Sequence, residues 1–288
     1  MNTTTAATQT SQHTPTKATH QAESPDYVAI KQKQQNAWGA GDYSKVGVTV
    51  QITGEELCES LDMRAGKTVL DVAAGNGNIS LAAARRFCQV TSTDYVESLL
   101  DSGRVRADAD NLPIHFKQAD AEALPFSNAM FDYVVSTFGV MFAPNQQQCA
   151  SEVLRVCKPG GKIGMANWTP DGFIGQLFKT IGQFAPAPKG VSPPSNWGTD
   201  DFIKTHFQPA KKIEAQKKHF NFRYHSAQHW LDLFRDYYGP IHKAFAAMDE
   251  AKASELEVAI LDLINAMNTS GDDTLVLPSE YLEIVITK

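Results

Sequence analysis

Short apolar runs of strand type alternate along the first half of the chain with stretches whose apolar residues recur at helical spacing. Thr68 to Asp71 and Gln89 to Asp94 have the composition of short strands and each ends in an acid, and a third element follows from Ile114 to Phe126. Between the first two, Ile79, Leu81, Ala82 to Ala84 and Phe87 form the apolar stripe of a helix, and a second helix begins near Val96 and Glu97. Strand and helix in alternation predict a doubly wound α/β sheet. Further on, Phe173 to Phe184 reads as a helix, Pro186 to Ser195 as a proline-rich loop and Ile213 to Tyr224 as an alternating strand. Trp230, Leu233, Phe234 and Tyr237 make one helical stripe, and Leu256, Ile260, Leu263, Ile264 and Met267 another. Tyr281-Leu-Glu-Ile-Val-Ile-Thr closes the chain as a strand, so these helices are inserted between the last two strands.

The joint between the first strand and its helix carries the chemistry. Asp71-Val-Ala73-Ala-Gly75-Asn76-Gly77-Asn78-Ile79 is a glycine turn at a helix start, where backbone N–H groups are free to meet a ligand. Asp94 follows at the spacing at which a carboxylate meets the ribose hydroxyls of a nucleoside; its other reading is a cap on the next helix. The turn has no neighbouring Lys or Arg, and Asp71 at its mouth repels a pyrophosphate but can accept a hydrogen bond from an ammonium group. Asp120 and Ala121, after the third strand, are placed to read the exocyclic amine and a ring nitrogen of adenine.

In this order the elements resemble a class I S-adenosylmethionine-dependent methyltransferase, of the branch that includes ubiquinone- and menaquinone-biosynthesis-type and other small-molecule methyltransferases. Asp71 to Gly77 matches its glycine motif, Asp94 its ribose acid and Asp120-Ala121 its adenine pair. Phe131 to Pro144 resembles its fourth strand and the loop beside the transferred methyl, and Glu152 to Ile163 the helix, turn and fifth strand that follow. The resemblance implies a Rossmann-like seven-stranded sheet, S-adenosylmethionine as cofactor, and cofactor contacts from Asp71, Ala73, Gly75, Asn76, Gly77, Asn78, Asp94, Tyr95, Asp120, Ala121 and Ser136. It also places the Trp38-x-x-Gly41-Asp42-Tyr43 loop over the cofactor, with Tyr43 in contact, although both aromatics could equally anchor the N-terminal helix. Ala73 stands where the family pattern has its first glycine, and no acceptor-naming motif is present, neither the Asn-Pro-Pro-Tyr type nor a Pro-Cys nucleophile.

Phe138, Met141, Phe142 and Trp168 are expected to form an apolar pocket near the methyl, favouring a lipid-like, quinone-like or aromatic acceptor. No catalytic base is assigned, since the Ser136 to Phe142 loop offers only hydroxyls. An NAD-dependent oxidoreductase and a non-catalytic adenosine-binding module are the alternative readings. The formal net charge of −6, with scattered basic residues, argues against nucleic acid as a partner. Cys58, Cys88, Cys149 and Cys157 lack metal-ligand spacing and suggest reduced thiols of a cytoplasmic protein. His225 and His229 lack further ligands, so no metal is expected, and no run is long enough to span a membrane. Residues 1–26 read as a disordered tail before a methyltransferase domain at 27–288, its cofactor half at 27–168 and its substrate half at 169–288 under a helical cover of about 226–270.

Overall fold

The computed structural model describes residues 1–3 and 25–288, so the expected tail lies almost wholly outside the described residues. Three helices, α1 (Tyr27–Trp38), the single-turn α2 (Ser44–Gly47) and α3 (Gln51–Ser60), precede the sheet. Then β1 (Thr68–Val72), α4 (Asn78–Arg85), β2 (Gln89–Asp94), α5 (Glu97–Ala109), β3 (Ile114–Gln118), β4 (Phe131–Thr137), α6 (Gln146–Val156) and β5 (Cys157–Trp168) follow. The second half runs α7 (Phe173–Phe184), α8 (Asp200–His206), β6 (Lys212–Tyr224), α9 (Ala227–Tyr237), α10 (Gly239–Ala246), α11 (Glu250–Met267) and β7 (Leu275–Thr287).

The seven strands lie in the order β3-β2-β1-β4-β5-β7-β6. β1 to β5 are mutually parallel, and β7 enters antiparallel between β5 and β6. The expected doubly wound sheet with helices inserted between the last two strands is therefore observed. The order reverses between β1 and β4, where the carboxyl ends of neighbouring strands open a crevice suited to a ligand. One face buries Leu57, Leu61, Ile79 and Ala82 to Ala84 against Val69 and Val135; the other packs α6, α7, α9 and α11 in a larger core. All four cysteines are buried and unpaired. Among the described residues no helix is long and apolar enough to cross a membrane.

Three local expectations shift. Phe87 falls outside the helix it was to complete: it sits past the end of α4 at φ 60 and is 80% exposed. Lys158-Pro-Gly-Gly is not a free turn but part of β5, where Gly160 N–H donates to the Lys288 carbonyl and Lys288 N–H to that of Gly161. The inward stripe of α9 is rotated by one residue: Trp230 and Phe234 continue to the buried Tyr238 just past the helix, while Tyr237 faces outward.

Candidate functional site

Steric demand shapes the floor of the crevice. Ala73, Gly75 and Gly77 all have positive φ, and Gly77 precedes the first residue of α4 with φ 82, a conformation that costs glycine least. Gly139, in the loop after β4, approaches so closely that a Cβ there would lie 2.1 Å from the Ala73 carbonyl oxygen. Only glycine lets these two loops meet.

Asp94 is not the N-cap of α5, a place taken by Val96 without a side-chain cap, but it braces the turns on either side of it. Its Oδ2 accepts from the Gly75 N–H and its Oδ1 from the Val96 N–H, each at 2.9 Å, tying the glycine turn to the start of α5. It also lines the cavity. Burial raises its pKa to about 6, against the pull of the backbone N–H donors. Asp71 lies behind the turn, 1% exposed and outside the cavity lining. Its Oδ2 accepts from the Ser80 hydroxyl at 2.6 Å, its Oδ1 is buried with no partner, and burial raises its pKa to about 7. Asn78 donates to the Gly47 carbonyl and accepts from Arg106, which also binds the Asn76 carbonyl. Asn76, Gly77 and Asn78 thus brace the turn from behind, whereas Ala73 and Gly75 line the cavity.

The cavity above this floor has one acidic and one aromatic end. Tyr95, Asp120, Ala121 and Glu122 line its acidic end. Here the structure adds a residue that sequence reasoning missed: Lys31 of α1 pairs with Asp120 Oδ2 at 2.5 Å and Glu122 Oε2 at 3.0 Å. Gln35 on the same helix face donates to the Tyr95 carbonyl, and Gln34 to that of Phe142. The spacing of Lys31, Gln34, Gln35 and Trp38 is a helical stripe, but a largely polar one, so a search for apolar periodicity passes over it. Tyr43 stands over the turn: a Cβ on Gly75 would come within 3.2 Å of its ring. Its hydroxyl pKa is raised to about 12 by burial and then by Asp94.

The far end is aromatic. Phe138, at φ 59, stacks on Trp168 with centroids 3.9 Å apart and planes 7° from parallel. Phe142 lines the wall and meets Trp38 edge to face at 4.9 Å. Phe234, from the stripe of the expected helical cover, completes it from α9, together with Phe178, Phe222 and Tyr238, which the sequence did not single out, from α7, β6 and the α9–α10 joint. Two further expected site residues do not line the cavity. Ser136 is buried and its Oγ accepts from the Val140 N–H at 3.1 Å, which braces the loop. Met141 is completely buried in the larger core and does not line the cavity, because the tight turn at 140–142 rolls it inward.

These groups fit S-adenosylmethionine better than a dinucleotide. Lys31 is the one cation among the described residues lining the cavity, and it is held by two carboxylates, leaving no positive charge for a pyrophosphate. The acids that line the cavity, Asp94, Asp120 and Glu122, suit a ligand that brings hydroxyl and amine donors.

A family model described as a methyltransferase domain matches residues 69–161, which spans β1 to the turn in β5. The chain is 36% identical over 251 residues to the uncharacterized protein Rv1403c of Mycobacterium tuberculosis, covering 85% of this chain and 90% of that protein. It is 34% identical over 126 residues to a demethylmenaquinone methyltransferase of Clavibacter sepedonicus, covering 42% of this chain and 51% of that one. The crystal structure of YcgJ protein from Bacillus subtilis superposes with a TM-score of 0.58 at 17% identity, over 82% of this chain and 98% of that one, a likeness of fold.

Proposed function

Because the chain belongs to the class I S-adenosylmethionine-dependent methyltransferases, we propose that it methylates a small apolar or aromatic acceptor held at the Phe138–Trp168 end of its cavity. It is an enzyme, and S-adenosylmethionine is its cofactor. The observation that carries the acceptor reading is the contrast between the two ends: carboxylates and Lys31 at one, and a nearly continuous aromatic wall at the other. Desolvating a charged acceptor against that wall would be costly, whereas a ring gains both burial and aromatic contact. A relative named for demethylmenaquinone methylation supports the same class.

When bound, the cofactor supplies an activated methyl on sulfur. Asp94 would hold the ribose hydroxyls and Asp120 with Ala121 would read the adenine, while Asp71, behind the turn, would add negative charge on the side of the ammonium group. Tyr43 and Trp38 exclude water from above, and Phe138 with Trp168 orients the acceptor plane. Residues 27–168 form the cofactor half, and 169–288 the acceptor half, with about 226–270 as its cover. Incubating the protein with methyl-labelled S-adenosylmethionine and a metabolite library tests the proposal. Label should enter apolar or aromatic compounds; label entering only charged amines would refute it.

A further inference from the structure

Tyr238 lines the cavity between Trp38, Tyr43 and Phe234 with a polar group that no atom of the described residues engages. It occupies the joint between α9 and α10 and is 8% exposed; its hydroxyl has no hydrogen-bond partner among the described residues. The ring is fixed on three sides, edge to face against Trp38 at 5.2 Å and tilted against Phe234 at 5.4 Å and Tyr43 at 6.2 Å. The backbone on either side is clamped as well. A Cβ on Gly41 would fall 2.4 Å from the Tyr237 carbonyl oxygen, and one on Gly239 would fall 2.1 Å from that of Ala37. Tyr238 is therefore a rigidly placed hydroxyl in an apolar wall, the arrangement by which ligand pockets fix orientation and reject analogues lacking a matching atom.

We infer that the Tyr238 hydroxyl donates a hydrogen bond to an oxygen of the acceptor, so that the pocket selects oxygen-bearing aromatic rings, such as phenols or quinols, over hydrocarbons of the same shape. The inference rests on the aromatic-acceptor reading above and narrows it. Burial, with Tyr43 nearby, holds the Tyr238 hydroxyl well above the ordinary tyrosine range, so it stays protonated and able to donate at neutral pH. Tyr43 is kept neutral in the same way. Neither hydroxyl is therefore suited to act as a base at neutral pH.

Competition binding to the full chain saturated with S-adenosylhomocysteine tests this, with 2-naphthol and 2-methylnaphthalene as matched probes. The wild type should bind 2-naphthol about tenfold more tightly, the worth of one hydrogen bond in a dry site. Tyr238→Phe should bring the two probes to within about twofold while melting temperature and S-adenosylhomocysteine affinity hold. A preference that survives in Tyr238→Phe would overturn the inference. A second arm needs no variant: 2-methoxynaphthalene, whose oxygen only accepts, should outbind 2-ethylnaphthalene, and the reverse order would exclude a donor at Tyr238. If no naphthalene binds the wild type, the aromatic-acceptor reading itself fails, an outcome distinct from a lost preference.

Discussion

Lys31 Nζ lies 2.5 Å from Asp120 Oδ2, joining a helix that precedes the sheet to the end of β3 across 89 residues of sequence. Yet α1 has no buried residue. It is held over the cavity by polar contacts and by Trp38, which predicts a helix easily loosened. Lys31→Met should speed amide hydrogen exchange across 27–38 about fivefold with little loss of global stability, since a part-exposed ion pair contributes on the order of 1 kcal/mol or less. Unchanged exchange would show that Trp38 and the Gln34 and Gln35 side chains hold the helix without the ion pair.

Asp94→Asn should weaken S-adenosylhomocysteine on the order of tenfold to a hundredfold, as charge-assisted bonds to ribose are lost. It should also lower stability by roughly 1–3 kcal/mol, because the carboxylate accepts two backbone N–H groups that the amide satisfies less well. Wild-type affinity in a destabilised variant would confine Asp94 to bracing the turn.

The pH dependence has a defined sign. Asp71 and Asp94 titrate at about 7 and about 6 in the folded chain, above the usual ~3.9 of an unfolded aspartate. Between those values the folded state binds more protons than the unfolded state, so stability from these groups falls as pH rises through the folded pKa values. Binding of a cationic ligand favours the ionised acids and should strengthen over the same range. Melting temperature of the free protein and affinity for S-adenosylmethionine, measured from pH 5.5 to 7.5, should therefore move in opposite directions. Asp71→Asn should flatten both curves, and parallel trends would contradict the assignment.

Met141 and Phe178 should separate core from pocket. Truncating the fully buried Met141 to Ala should cost roughly 2–5 kcal/mol of stability. Phe178, which lines the cavity and meets Phe142 edge to face at 5.8 Å, should tolerate Ala better and lose acceptor turnover while keeping S-adenosylhomocysteine binding. Equal stability losses would remove that distinction.

The alternation of strands and helices, the glycine turn and the terminal strand were readable because each rests on local pattern: period, propensity and backbone freedom. Asp94 and Asp120 were found for the same reason, as acids at strand ends. What sequence could not give was orientation within a tight turn. The loop from Phe138 to Phe142 alternates cavity and core on a scale shorter than any helical or strand period, so Phe138 faces the cavity while Met141 does not. Nor could it give pairings across distance: Lys31 with Asp120, or Tyr238 with Tyr43, depend on α1 and the α9–α10 joint meeting over the sheet edge.

The most direct measurement is transfer of labelled methyl from S-adenosylmethionine to a panel spanning naphthols, hydroquinones, long-chain alcohols, polar amines and unmodified protein, using the full chain. The account predicts label in the oxygen-bearing aromatic compounds, with turnover reduced in Phe178→Ala. Label confined to polar amines or protein would contradict it.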